Sequence, residues 1–217
     1  MNYPKKFLVF ILFILACTNI VFAQYYENNA KSGLGIPYFD VVFHNKFDQN
    51  MDGYDVLVIT QFLYDDLTFT KSDTSGYEAS FELLIAAYDE KENVVFNRTI
   101  NKKIHVASFN QTNTRDKKVL LKNDINLKSG KYTILLKALD LSTNQSTSRK
   151  TTLMLKDYMS DALFISGISF LQDVVWDSSM QVVSFNPTIG SNFSARNGAF
   201  YVYFDLYTRN LDVPVQV

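Results

Sequence analysis

The chain has 217 residues, 47% apolar and 20% charged, with 8 Gly and 4 Pro, a composition that excludes a disordered or collagen-like chain and calls for a packed core. Its 21 Lys plus Arg nearly balance 22 Asp plus Glu, which leaves no electrostatic footprint for nucleic acid and no polybasic face for anionic lipid.

Lys5 and Lys6 stand before an unbroken apolar run, residues 7–17, and a second short apolar stretch leads to Val21, Phe22, Ala23 and Gln24. A positive start, an apolar stretch of about 7–15 residues and a small-residue cleavage site together make a secretory signal peptide. Val21 and Ala23 fill the two small-residue subsites, so the signal peptide is expected to span 1–23, with cleavage before Gln24. A bilayer takes about 20 apolar residues to cross, more than this run supplies; an uncleaved anchor over 7–23 is the alternative. The single cysteine opens another, because Ile14, Leu15, Ala16 and Cys17 resemble the site at which bacterial lipoproteins are cut and acylated. Acylation at Cys17 would give the exported chain a lipid anchor and its only tie to a membrane. Cleavage after Ala23 would instead remove the one cysteine, and with it any disulfide, thiolate nucleophile or Cys metal site.

Residues 24–37 are polar, with two Gly and a Pro, and read as a lead-in segment. From Tyr38 onward the sequence alternates with period two and is rich in Val, Ile, Phe, Tyr and Thr, the pattern of half-buried strands. The clearest case is 77–89, where Tyr77, Ala79, Phe81, Leu83, Ile85 and Ala87 share the face expected to line the core. Other strands are expected near 38–45, 54–64, 66–71, 94–104, 117–127, 131–140 and 147–156. Runs such as DQNMDG, SDTSG, DEKEN, LKSG and LSTNQS separate them as turns. Strands of this number and spacing over 38–157 predict an all-β fold, an immunoglobulin-like antiparallel β-sandwich. In such sandwiches a tyrosine at one corner folds its hydroxyl back onto the upstream backbone; Tyr132 is placed for that, with Ile134 in place of a core Cys.

Residues 157–160 break the pattern and a new strand-rich run opens at Ala162. Strands near 163–172, 180–185 and 199–208 predict the start of a second β domain over 161–217. So short a unit buries little surface alone. It is therefore expected to be incomplete, the chain being a fragment, or else its strands join the first sheet.

The segment 54–95, with its YDEKEN turn, and the downstream stretch around LKSGKY resemble the N-terminal half of bacterial GWxTD domain-containing proteins, over roughly residues 38–208. In that family a signal peptide precedes strand-rich regions, and a C-terminal domain bears the motif of the name. No Gly-Trp-x-Thr-Asp occurs in this chain, whose single Trp176 sits in VVWDSS. The resemblance implies a cell-envelope location and a strand-rich architecture, and it carries no activity.

Asp48, Asn50, Asp52 and Asp55, with Gly53 at the sixth position, match the first half of a calcium loop and form a weak Ca2+ candidate. The twelfth position is Ile59, where a bidentate Glu is required, and the plainer reading is a polar turn. His44 and His105 are far apart in sequence, lack HExxH spacing and read as strand residues. No GxSxG, GxxxxGK or GxGxxG occurs. The acid sets Asp65-Asp66 and Asp89-Glu90 read as turn residues. Glu78 and Glu82, about 13 Å apart along one strand, are too widely spaced for a glycosidase pair. Tyr201, Tyr203 and Tyr207 share a face, as core or as a sugar-stacking surface. The sequons at Asn97, Asn110, Asn144 and Asn192 bear only on a eukaryotic secretory route.

These features predict an exported, non-enzymatic β module of the bacterial periplasm or outer cell envelope, with no cofactor, whose partner is another protein. The alternatives are a carbohydrate- or calcium-dependent adhesive module, a small outer-membrane β-barrel and, last, a hydrolase. Arg98, Lys102 and Ile104 on one face with Val94 and Phe96 spoil the lipid-facing band a barrel needs.

Overall fold

The structure, a computed structural model, describes residues 36–48, 53–73, 75–157, 163–179, 182–189 and 201–208. The expected signal peptide, Cys17 and nearly all of the lead-in lie outside the described residues. No described helix is long and apolar enough to cross a membrane.

Alternation along the chain builds two antiparallel sheets. β1 (Asp40–Phe47), β2 (Tyr54–Leu63) and β6 (Lys118–Leu127) form the first, in the order β1-β2-β6. In the second, β5 (Val94–Val106), β4 (Tyr77–Tyr88), β7 (Gly130–Asp140) and β8 (Ser146–Leu155) lie side by side, and the short β3 (Thr70–Lys71) pairs with the start of β4. On β4 the residues Ala79, Phe81, Leu83, Ile85 and Ala87 are buried, while Glu78, Ser80 and Glu82 on the other face are partly open to solvent. Facing strands bring Val56, Val58, Phe62 and Ile125 of the first sheet into one core with Phe81, Leu83, Ile134 and Leu136 of the second. Phe62 and Phe81 meet across the interior with ring centroids 4.4 Å apart. Burial of each such side chain is worth about 1.5–3 kcal/mol, and this shared interior makes the fold an all-β sandwich. Both sheets are open at their outer strands, so no closed barrel is formed by the described residues.

The chain turns at positions that the sequence marks. Between β6 and β7 the Tyr132 hydroxyl donates to the Lys128 carbonyl at 3.0 Å, the corner expected from its position. At the β4–β5 turn the Asp89 carboxylate accepts the N–H groups of Lys91 and Asn93 at 2.9 and 2.8 Å. Gly76, at φ +74°, precedes β4, and a side chain there would run into the Val106 carbonyl, 2.2 Å from an ideal Cβ; only Gly meets both demands.

The strand expected over 66–71 is a correction: only Thr70–Lys71 is strand. Residues 64–66 coil into one 3-10 turn, closed by the Leu67 N–H donating to the Tyr64 carbonyl at 3.2 Å. That turn buries Leu67 and Asp66 instead of alternating them.

Beyond 162 the chain makes five more strands: β9 (Leu163–Ile165), β10 (Ser169–Trp176), β11 (Val182–Pro187), β12 (Tyr201–Tyr203) and β13 (Leu206–Thr208). They pair among themselves, in the orders β11-β10-β12 and β13-β9. The single strands expected over 163–172 and 199–208 are each broken in two. Ser166 and Asp205 sit opposite one another at the break, where the Ser166 N–H donates to the Asp205 carbonyl at 2.9 Å and the Asp205 N–H donates to Ser166 Oγ at 2.7 Å.

These strands form a third layer against the sandwich. Phe164 joins the sandwich core, stacking on Tyr207 at 5.2 Å and meeting Phe47 at 4.7 Å. The Phe47 N–H donates to the Tyr207 hydroxyl at 3.1 Å. Val42, Ile59 and Lys122 lie in register on the outer face of the first sheet. Ile59 is fully buried yet lies outside the sandwich core cluster. Lys122 Nζ donates to the Phe185 carbonyl of β11 at 2.9 Å.

Candidate functional site: a polar seam under the third layer

A group of polar side chains lies where the third layer meets β1. His44 points out of the sandwich, in register with Leu57, yet is only 4% exposed because the layer covers it. Its Nδ1 is 2.8 Å from Ser169 Oγ, its Nε2 is 4.0 Å from Asp205 Oδ2, and Tyr203 lies against its ring with centroids 5.3 Å apart. The Tyr203 hydroxyl donates to Asp205 Oδ1 at 2.8 Å. Close by, the Gly167 N–H donates to the Asn45 carbonyl of β1 at 2.8 Å.

The chemistry of these groups fixes the protonation state. A proton on Nε2 faces the Asp205 carboxylate, whereas a bare Nε2 would set a lone pair against it; the neutral ring therefore carries its proton on Nε2 and accepts the Ser169 hydroxyl at Nδ1. Burial holds the His44 pKa below its ordinary value, against the pull of Asp205 and with a push from Lys46. Burial and the Asp205 carboxylate push the Tyr203 phenol up to about 12.

Serine, histidine and aspartate thus stand together without the geometry of a nucleophilic relay. The His44–Asp205 separation exceeds hydrogen-bond length. Ser169 sits within a paired strand, opposite Tyr203, and not on an exposed turn. The imidazole of His44 is covered, at 4% exposure. What the arrangement does is fasten two layers through directional polar contacts.

Of the calcium candidates, Asn50 and Asp52 lie outside the described residues. The Asp48 N–H donates to the Gly53 carbonyl at 3.1 Å, closing the turn. The Asp55 carboxylate accepts from the Asn126 amide on neighbouring β6, so a ligand role for Asp55 would compete with that bond. His105 lies on the exposed face of β5, its Nδ1 3.6 Å from Glu78, which also holds Lys103 at 2.7 Å. Asp65 pairs with Arg115 at 3.0 Å. Its neighbour Asp66 is buried, and burial, reinforced by Asp65 and Asp40 and opposed by Arg115, pushes its pKa up to about 6. Of the three tyrosines, Tyr203 and Tyr207 face inward onto His44 and Phe47, and Tyr201 meets Trp176 edge-on at 6.4 Å.

Sequence reasoning took His44 as a strand residue and missed its meeting with Ser169 and Asp205. The available signal was β2, whose Val56 and Val58 on one face and Leu57 and Ile59 on the other mark a strand covered on both sides.

Fold and seam together define an all-β sandwich with a fastened outer layer. No family model matches the chain, and no curated protein matches it. Among solved structures it is similar to a β-glucuronidase of Bacteroides uniformis, at 10% identity and a TM-score of 0.37, over 63% of this chain and 14% of that one. A likeness so distant carries no statement about activity, and this chain spans only a small part of that enzyme.

Proposed function

We propose that this chain is an exported, non-enzymatic β module of a bacterial cell envelope, with a structural or protein-interaction role. One observation carries the reading: among the described residues of the third layer's outward face, Leu163, Ile165, Phe170, Val202 and Leu206 are large, apolar and 39–53% exposed. Contiguous exposed apolar surface marks a contact site on a folded protein, and loops and sheet faces held on a rigid scaffold commonly serve that purpose. The arrangement at residues 1–23 and the resemblance to GWxTD domain-containing proteins support the envelope setting.

A photo-crosslinking residue at Val202, on that face, is the test, with the same residue at Asn101 on exposed β5 as the control. In cells expressing the full chain, adducts are expected from position 202 and not from 101, in the envelope fraction. No adduct from 202, equal yields from both positions, or a chain retained in the cytoplasm would contradict the reading.

A further inference from the structure

β9 with β10, and β12 with β13, run antiparallel as one ribbon. Leu163–Ile165 pairs with Leu206–Thr208, Ser169, Phe170 and Leu171 pair with Tyr203, Val202 and Tyr201, and the Ser166–Asp205 bonds bridge the break. Side chains of a strand alternate between faces. Phe164, Ser169, Leu171, Tyr203 and Tyr207 take the face turned to the sandwich. Ile165, Phe170, Val202 and Leu206 take the other, and Leu163, Ile168 and Phe204 extend it. All seven of these outward residues are large, apolar and 39–55% exposed.

The two long edge strands of the second sheet carry charge. The long edge strand β5 carries Arg98 and Lys102 on its inward side, opposite Ile85 and Phe81, and edge strand β8 carries Arg149 and Lys150. Charges so placed resist edge-to-edge pairing. Among the described residues, the ribbon's outward face carries no such charge.

We propose that this face is the contact between two copies of the chain, packed ribbon on ribbon about a two-fold axis. This rests on the reading of the layer as an interaction surface and names its partner. The area supports it: two aromatic and five aliphatic side chains, each about half exposed, offer on the order of 500 Å² per copy. Face to face, two copies would bury about 1,000 Å², about the least a specific interface needs. The match is also chemical. A partner for so flat and uncharged a surface must bring an equally uncharged face of similar size, because any charge set against it would lose water and gain no counter-charge. A second copy brings that face by construction, and a two-fold contact uses the same patch on both sides.

Sedimentation equilibrium on the chain purified from the envelope after signal cleavage is the test, at about 1 to 100 µM, where a contact of this size should associate. A reversible dimer is expected, lost in Val202→Glu and in Phe170→Glu, and retained in the control Asn101→Glu. Should either Glu variant fail to fold by circular dichroism, Ile168→Lys, in the loop joining β9 and β10, takes its place. A monomer throughout the range, or a dimer that survives the charged substitutions, overturns the proposal. If position 202 crosslinks in cells to a different protein while the purified chain stays monomeric, self-association fails and the interaction reading stands. If neither crosslink nor dimer forms, both fail.

Discussion

Asp66 is a buried carboxylate, and its effect on stability has a definite sign. Its pKa is raised from 3.8 in the unfolded chain to about 6 in the folded protein, so the folded state binds that proton more tightly. The cost of ionising it under burial is absent below pH 3.8, grows as the pH rises towards 6, and is complete at pH 7. Asp66→Asn is therefore expected to stabilise the protein at pH 7 by up to about 3 kcal/mol and to lose that advantage near pH 4. Urea unfolding of both proteins at the two pH values reads it, and no gain at pH 7 would contradict it. At this scale the sequence was legible where one residue type has one geometric use, as with Tyr132 at its corner. It was not legible at Asp66, because a turn acid and a buried acid look alike until the chain folds over one of them.

Along the strands, β4 could be read directly, since only one of its faces meets the core. β2 was harder, because apolar residues on both faces announce a covering layer without saying which segment supplies it. The covering strands hid themselves as well: 163–172 and 199–208 each look continuous, and the break at Ser166 and Asp205 follows from bonds between residues 39 positions apart. The layer approaches β1 closely at Gly167, where an added Cβ would push the Asn45 amide aside and lie 3.3 Å from the Asn45 backbone nitrogen. Gly167→Val should displace the layer and cost about 1–3 kcal/mol, seen as a lower melting temperature; an unchanged melt would show that the approach is not tight.

The seam beneath that layer should also respond to acid. The His44 pKa is lowered below 6.5 in the folded protein, so its contribution is complete above pH 6.5 and is lost as the pH falls through that value towards the folded pKa. Burial sets this balance first, then Asp205 and Lys46, while Ser169 and Tyr203 lie against the ring. His44→Gln should flatten the loss of stability between pH 7 and pH 5. A slope identical to that of the parent would place the titration elsewhere.

For the molecule as a whole, a two-sheet sandwich carries a further layer on one side, and the proposed contact lies on that layer's outward face. Balanced charge gave no reason to expect nucleic acid, and alternation predicted the sandwich. The third layer needed the fold itself, because His44, Ser169 and Asp205 come from widely separated parts of the chain. Its attachment is the claim on which the rest depends, and the single tryptophan, Trp176, lies on β10 within that layer. Guanidinium unfolding followed by Trp176 fluorescence and by far-ultraviolet circular dichroism compares the layer with the whole molecule. If the layer is fastened to the sandwich the two transitions coincide; a Trp176 transition at clearly lower denaturant than the loss of strand signal would show that the layer comes away alone.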